Sequence, residues 1–214
     1  ACSGMGHDDD SIEVTCEAIQ RLAASESATP ATGGVTSLDA SGWDISVTRT
    51  LMMTDAWRRA HCAECAGAPD AFTYGIYNTG LSLSTHILRS GFSLYAIAIY
   101  GIVGSGMTST TASNCFMRSF AHSEGFWAEV GRVAKSLANG DDCIGRDEIT
   151  RAIVAIWESL GLRLDEEESI RIRDLAEDIE FTSHLYNVFA KSASYNNPTK
   201  LFLKIVIMHQ HGKR

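Results

Sequence analysis

The chain has 214 residues, 45% of them hydrophobic, with 18 basic and 26 acidic side chains for a net charge of −8. That is length and apolar content for one domain around one core, and it argues against a protein that holds nucleic acid by bulk positive charge, because such binding draws its affinity from Lys and Arg neutralising phosphates. It also argues against a membrane-spanning chain, since the longest apolar run, Leu94 to Val103, is short and broken by Tyr95, Tyr100 and Gly101.

The chain opens Ala-Cys-Ser-Gly-Met-Gly-His with neither an initiator Met nor a signal pattern, as an excised piece of a longer polypeptide would. Helical spacing of Ile12, Val14, Ala18, Ile19 and Leu22 predicts a helix over Ser11 to Ser25, followed by a Ser/Thr/Pro/Gly loop to Gly34. Val35 to Asp39 reads as a short strand that delivers Asp39, and helical spacing resumes from Thr48 through Leu51, Met52, Asp55, Ala56 and Ala60. Phe92 to Val103 predicts one or two strands, and Thr108 to His122 a helix with Thr110 and Asn114 on one face. Val133 to Ile144 predicts strand, tight turn and strand, with Gly140 supplying a positive φ and Asp141 and Asp142 projecting from the tip. Asp147 to Leu160 carries one apolar stripe and stops at Gly161. Glu180 to Val188 reads as strand or hairpin, and Pro198 to Met208 as a helix. The alternation predicts an α+β fold, an antiparallel sheet backed by helices.

Six cysteines, Cys2, Cys16, Cys62, Cys65, Cys115 and Cys143, are scattered and read as reduced thiols. His61-Cys62-Ala-Glu-Cys65 has half of a zinc spacing and no second half, so small buried thiols on a helix are the expectation there. The acidic runs Asp8 to Asp10 and Asp165 to Glu168 lack the alternating pattern of a calcium loop and read as solvated faces or helix starts.

Three segments carry the chemistry. Asp39-Ala-Ser-Gly-Trp-Asp44, Ser105-Gly106-x3-Thr110-x3-Asn114 and Gly140-Asp141-Asp142 stand in that order, each at a predicted strand end or glycine turn. Alone, each is an ordinary turn or capped helix. Together they set carboxylates and neutral hydrogen-bonding groups where divalent metals and a sugar or phosphate would be held, provided that the fold joins two distant strand ends, because adjacent anions repel unless cations neutralise them.

The three segments resemble motifs A, B and C of the palm domain of viral RNA-dependent RNA polymerases, in spacing and in order. The wording Asp-x-Ser-Gly-Trp-Asp and the pair Ser183-His184 within Glu180-Phe-Thr-Ser-His-Leu look most like sobemovirus, polerovirus and related positive-strand lineages. The resemblance implies a polymerase palm with most of the fingers and thumb missing: residues 1–34 as a residual lead-in, 35–197 as palm and 198–214 as the start of a thumb. It implies RNA-templated RNA synthesis by two-metal nucleotidyl transfer in viral genome replication, with Asp39, Asp141 and Asp142 catalytic and holding Mg2+, for which Mn2+ could substitute. Asp44, Ser105, Gly106, Thr110 and Asn114 would bind the ribonucleoside triphosphate, Asp44, Ser105 and Asn114 reading its ribose. Ser183, His184 and Lys200 would contact the RNA template and primer strand, although a surface His on a hairpin and a solvated Lys200–Lys204 face are equally simple readings. The resemblance also implies partners in the missing fingers and thumb of the same polyprotein, and a place in the host cell cytoplasm or at membrane-associated replication complexes. A catalytically silent palm-derived module that binds RNA or protein is the rival reading.

Two departures stand out. Only 38 residues precede Asp39 and they hold a single Lys or Arg, Arg21, so the family's basic fingers segment is not among them. Where many relatives place a lysine after the helix that follows motif C, this chain has Arg163, with Arg171 and Arg173 farther on. Arginine is a poor proton donor, and no general acid is assigned.

Overall fold

Asp8 caps the first helix, α1 (Asp9–Ala23), its carboxylate accepting from the Ser11 amide at 2.8 Å. The computed structural model describes residues 8–28, 33–83, 86–90, 93–97, 110–164 and 169–211, and of residues 44, 45, 83, 86–90, 93–97, 204, 205 and 208–211 it describes the backbone alone.

After α1 the chain enters β1 (Val35–Leu38), turns through the short α2 (Trp43–Ser46), and runs up α3 (Arg49–Cys65), which Thr48 caps, and back down α4 (Asp70–Leu83). A hairpin of β2 (His86–Ser90) and β3 (Ser93–Ile97) precedes the long α5 (Thr110–Val130). The hairpin β4 (Ser136–Asn139) and β5 (Asp142–Gly145) leads to α6 (Arg151–Ser159) and β6 (Ile170–Ile172). A meander of β7 (Ile179–Phe181), β8 (His184–Asn187) and β9 (Ser192–Tyr195) then gives way to α7 (Pro198–His211).

The central sheet has the order β4-β5-β1-β6, and every neighbouring pair is antiparallel. Strand alternation divides its side chains between two cores. On one face Leu38 and Cys143 join Trp43, Leu51, Met117, Phe126, Ile153 and Trp157, so that α3, α5 and α6 back the sheet. On the other, Val35, Ile144 and Ile172 join Ile19 of α1 with Ile179, Phe181 and Val188 from the meander. Burying each such side chain is worth about 1.5 to 3 kcal/mol relative to leaving it in water, and loss of any one leaves a hole its neighbours cannot fill. This is the α+β fold expected of the alternating pattern, an antiparallel sheet backed by helices.

Several boundaries differ from the expectations. The helix expected from Asp147 begins at Arg151, because Thr150 caps it through the Ile153 amide. Asp147 is instead fully buried, accepting from the Ser27 hydroxyl while its backbone carbonyl accepts from Thr36 Oγ1. The helix expected to end at His122 continues to Val130. Cys62 and Cys65 lie on a helix as expected but are exposed rather than buried, and among the described residues no three His, Cys, Asp or Glu side chains form a metal-holding cluster. No helix among the described residues is long and apolar enough to cross a membrane.

Candidate active site

β1 and β5 pair with Leu38 opposite Cys143, so continuing the antiparallel register by one residue sets Asp39 opposite Asp142. Residues about a hundred positions apart thus meet at one end of the sheet. The turn between β4 and β5 consists of Gly140 and Asp141, with Asn139 paired to Asp142 and Gly140 at φ +68°, a conformation that glycine adopts without penalty. Asp141 is exposed at the tip, Asp39 is half-buried, and Asp142 is the first residue of β5 rather than part of the tip.

These three carboxylates line one open cleft of about 670 Å³. Its opposite wall comes from the meander and α7 and includes Glu180, Ser183, Tyr195, Asn196, Asn197 and Lys200. Burial, then the charges of Asp141, Asp39 and Glu180, push the Asp142 carboxyl up to about 7, against the opposing pull of Arg118. Desolvation and like charges both disfavour the anion, and a cation in the cleft would reverse the second effect.

The other expected site residues fall in different places. Asp44 lies in α2, its side chain outside the described residues, and Ser105 and Gly106 lie outside them altogether. Thr110 and Asn114 sit on α5, away from the cleft wall, with Asn114 buried and its Oδ1 without a hydrogen-bond partner. Ser183 and Lys200 do line the cleft and are exposed. His184 is not the surface residue of the simpler expectation: it is 5% exposed, bonded through Nδ1 to the Thr182 carbonyl at 2.7 Å and packed 4.2 Å from Tyr195. His184 is not among the residues lining the cleft; of the aromatics that do line it, Tyr195 is exposed and Phe181 buried. Arg171 is likewise committed elsewhere, donating to Thr36 Oγ1 and to the carbonyls of Gly33 and Arg146, so it is no substitute for the family's lysine.

Sequence reasoning missed two groups. Glu180 and Tyr195 reach the cleft only because the meander folds against β1, where Ser37 Oγ donates to the Glu180 carbonyl at 2.8 Å. Asp55 of α3 is 5% exposed and accepts from Arg58, Arg59 and Ser113, the last on α5. That network ties the helix after the first acidic segment to the helix of the second.

The donor set suits a hard divalent ion: the cleft's carboxylates are those of Asp39, Asp141, Asp142 and Glu180, and Cys143, which also borders it, is 1% exposed and packed in the apolar core. Among the described residues no three His, Cys, Asp or Glu side chains are grouped so as to hold a metal ion by themselves, and Mg2+, which is held through one or two carboxylates together with waters and substrate phosphates, does not ask for three. The residues therefore fit the ion that the fold family implies.

No protein-family model matches the chain, and no curated protein matches it. Solved structures do. The RNA-dependent RNA polymerase of a human picorbirnavirus with its insertion loop deleted superposes with a TM-score of 0.63 at 13% identity, over 84% of this chain and 34% of that one. The polymerase of a human picorbirnavirus without that deletion gives a TM-score of 0.60 at 12% identity, over 84% of this chain and 32% of that one. The chain spans about a third of the length of these structures, and over that third it has the palm-like fold of a viral RNA-dependent RNA polymerase.

Proposed function

We propose that this chain is the palm of a viral RNA-dependent RNA polymerase and that its cleft carries out nucleotidyl transfer. The observation that carries the reading is the meeting of Asp39, Asp141 and Asp142 at one end of the cleft, where burial and then the neighbouring carboxylates push the Asp142 carboxyl up to about 7. Asp39 and Asp141 would hold the metal ions, with Asp142 in support. When bound, divalent ions lower the pKa of an attacking 3′-hydroxyl and neutralise the leaving pyrophosphate.

The chain's own residues would place the reactants. Asp44, Ser105 and Asn114 would read the ribose, and a site built around a 2′-hydroxyl rejects the deoxy analogue because its polar groups are left unpaired. Gly106 and Thr110 would complete the nucleotide site. Across the cleft, Lys200 brings a cation for an RNA phosphate, beside the Ser183 hydroxyl. In this reading residues 1–34 lead into the palm, 35–197 form it and 198–214 begin the thumb, and the enzyme acts in the host cell cytoplasm on an RNA template and primer. The sobemovirus- and polerovirus-like lineage rests on the wording of the first motif and of Ser183-His184.

Joining these 214 residues to the fingers and thumb of a related polymerase, and measuring ribonucleotide incorporation on a primed RNA template, tests the reading. Incorporation that disappears with Asp141→Ala supports it. A joined enzyme that binds template but extends no primer favours the catalytically silent module, and activity surviving Asp141→Ala contradicts the metal assignment.

A further inference from the structure

Arg118 lies 1% exposed inside the apolar cluster behind the acidic turn, where a cation is unfavourable unless specific contacts hold it. Two kinds of contact do. Its guanidinium carbon lies 5.8 Å from the ring of Trp43, which follows β1, and 5.7 Å from the ring of Trp157 on α6. Its Nε donates to the backbone carbonyl of Asp141 at 3.2 Å. Three residues earlier, on the same face of α5, the Cys115 thiol accepts from the Gly140 amide at 3.1 Å. The peptide groups on either side of the two-residue turn are therefore both bound from one helix.

We propose that Arg118 is a positioning residue for the acidic turn. By holding the peptide that joins Asp141 to Asp142, it fixes the direction in which both carboxylates leave the hairpin. It does so from α5, the helix that also carries Thr110 and Asn114, so the turn and the second motif share one rigid frame. What the turn is for rests on the polymerase reading; that Arg118 sets its conformation does not. The geometry needs arginine. A planar guanidinium stacks against indole rings and directs an N–H at one carbonyl, whereas a lysine ammonium is a point charge on a flexible stem. The Arg118 Nη2 has no hydrogen-bond partner among the described residues, so the hydrogen bond to the Asp141 carbonyl and the two indole rings are the contacts that orient the group.

The test compares the 214-residue chain with its Arg118→Lys and Arg118→Met variants by amide hydrogen exchange and by Mn2+ titration. Both variants are expected to speed exchange in the segment 139–143 by about tenfold while leaving β1 and α6 protected, and to weaken Mn2+ binding by roughly the 10- to 100-fold typical of losing a supporting contact. Turn exchange at the wild-type rate in a folded Arg118→Lys variant overturns the proposal, since charge alone would then suffice. Acceleration spread evenly over the whole chain overturns it as well, because that is the signature of a packing residue. Should Arg118→Met not fold, Arg118→Lys decides. Asp141→Asn separates the two levels: if it leaves Mn2+ binding unchanged, the metal-site reading fails, while the exchange measurement still decides on Arg118.

Discussion

The Ser113 hydroxyl on α5 donates to the Asp55 carboxylate on α3 at 2.7 Å, and Arg58 and Arg59 close on the same carboxylate at 2.7 and 2.8 Å. This joint sets the spacing of the two helices that follow the first acidic segment and carry the second. Breaking a fully buried pair costs about 3 to 5 kcal/mol, and both arginines here are about a third exposed, so Asp55→Asn is expected to cost about 2 to 3 kcal/mol. Denaturant unfolding measures it, and a loss below about 0.5 kcal/mol, the usual range of surface changes, would reduce the network to decoration.

Gly145 lies against a buried imidazole. A Cβ there would come within 2.6 Å of His122 Cε1, and the ring has no room to retreat because Phe126 and Trp157 pack around it at 5.0 and 5.6 Å. Gly145→Ala is expected to cost about 1 to 3 kcal/mol, the usual penalty of overpacking. In a His122→Ala background the same substitution should cost much less, and a double-mutant cycle that instead shows additivity would place the clash elsewhere.

His122 also predicts acid sensitivity. Burial first, then the Arg118 charge, lower its pKa from 6.5 to about 3, against the opposing pull of Asp147. The unfolded chain takes its proton near 6.5 and the folded chain does not until about 3. Between those values the unfolded state binds more protons, so stability present above 6.5 is lost as pH falls, at about 1.4 kcal/mol per pH unit. Both ring nitrogens lack hydrogen-bond partners, so an apolar replacement forfeits none. Unfolding measured from pH 7.5 to 5 should therefore show a shallower loss in His122→Leu than in the wild type. Parallel curves would mean that His122 protonates without unfolding cost.

Much of this architecture was legible because apolar periodicity is strong along α1 and α6 and Gly140 marks the turn. The caps Asp8 and Thr150 were not read, which is why α1 was expected to start at Ser11 rather than Asp9 and α6 at Asp147 rather than Arg151. What stayed hidden was set by tertiary contact. α4 contains Gly75 and Gly80 among threonines and tyrosines, a poor helix former by itself, yet Gly80 sits where a Cβ would come within 2.2 Å of Ala56 Cβ, so its bareness lets α4 pack closely on α3. β6 has three residues, too few for a period, and takes its register from β1. His184 faces inward because β8 alternates buried and half-buried residues, a phase that the motif wording does not carry. Arg118 was within reach, four positions after Asn114 and so on its face, but nothing in sequence links it to Asp141.

Sugar choice offers a test of Asp44 in the first segment and Asn114 in the second. In an enzyme joined to fingers and thumb, Asn114→Ala or Asp44→Ala should narrow the preference for ribonucleotides over deoxyribonucleotides more than it weakens Mn2+ binding. Competition assays with both triphosphates check this, and unchanged selectivity would remove these residues from the ribose site.

The central claim is that Asp39 and Asp141 form one metal site, and electron paramagnetic resonance titration of Mn2+ into the 214-residue chain tests it most directly. The account predicts bound Mn2+ whose affinity falls in Asp39→Asn and in Asp141→Asn alike, each by more than the roughly 10- to 100-fold typical of losing a supporting contact. Binding that survives either substitution unchanged, in a variant that melts like the wild type, would contradict it.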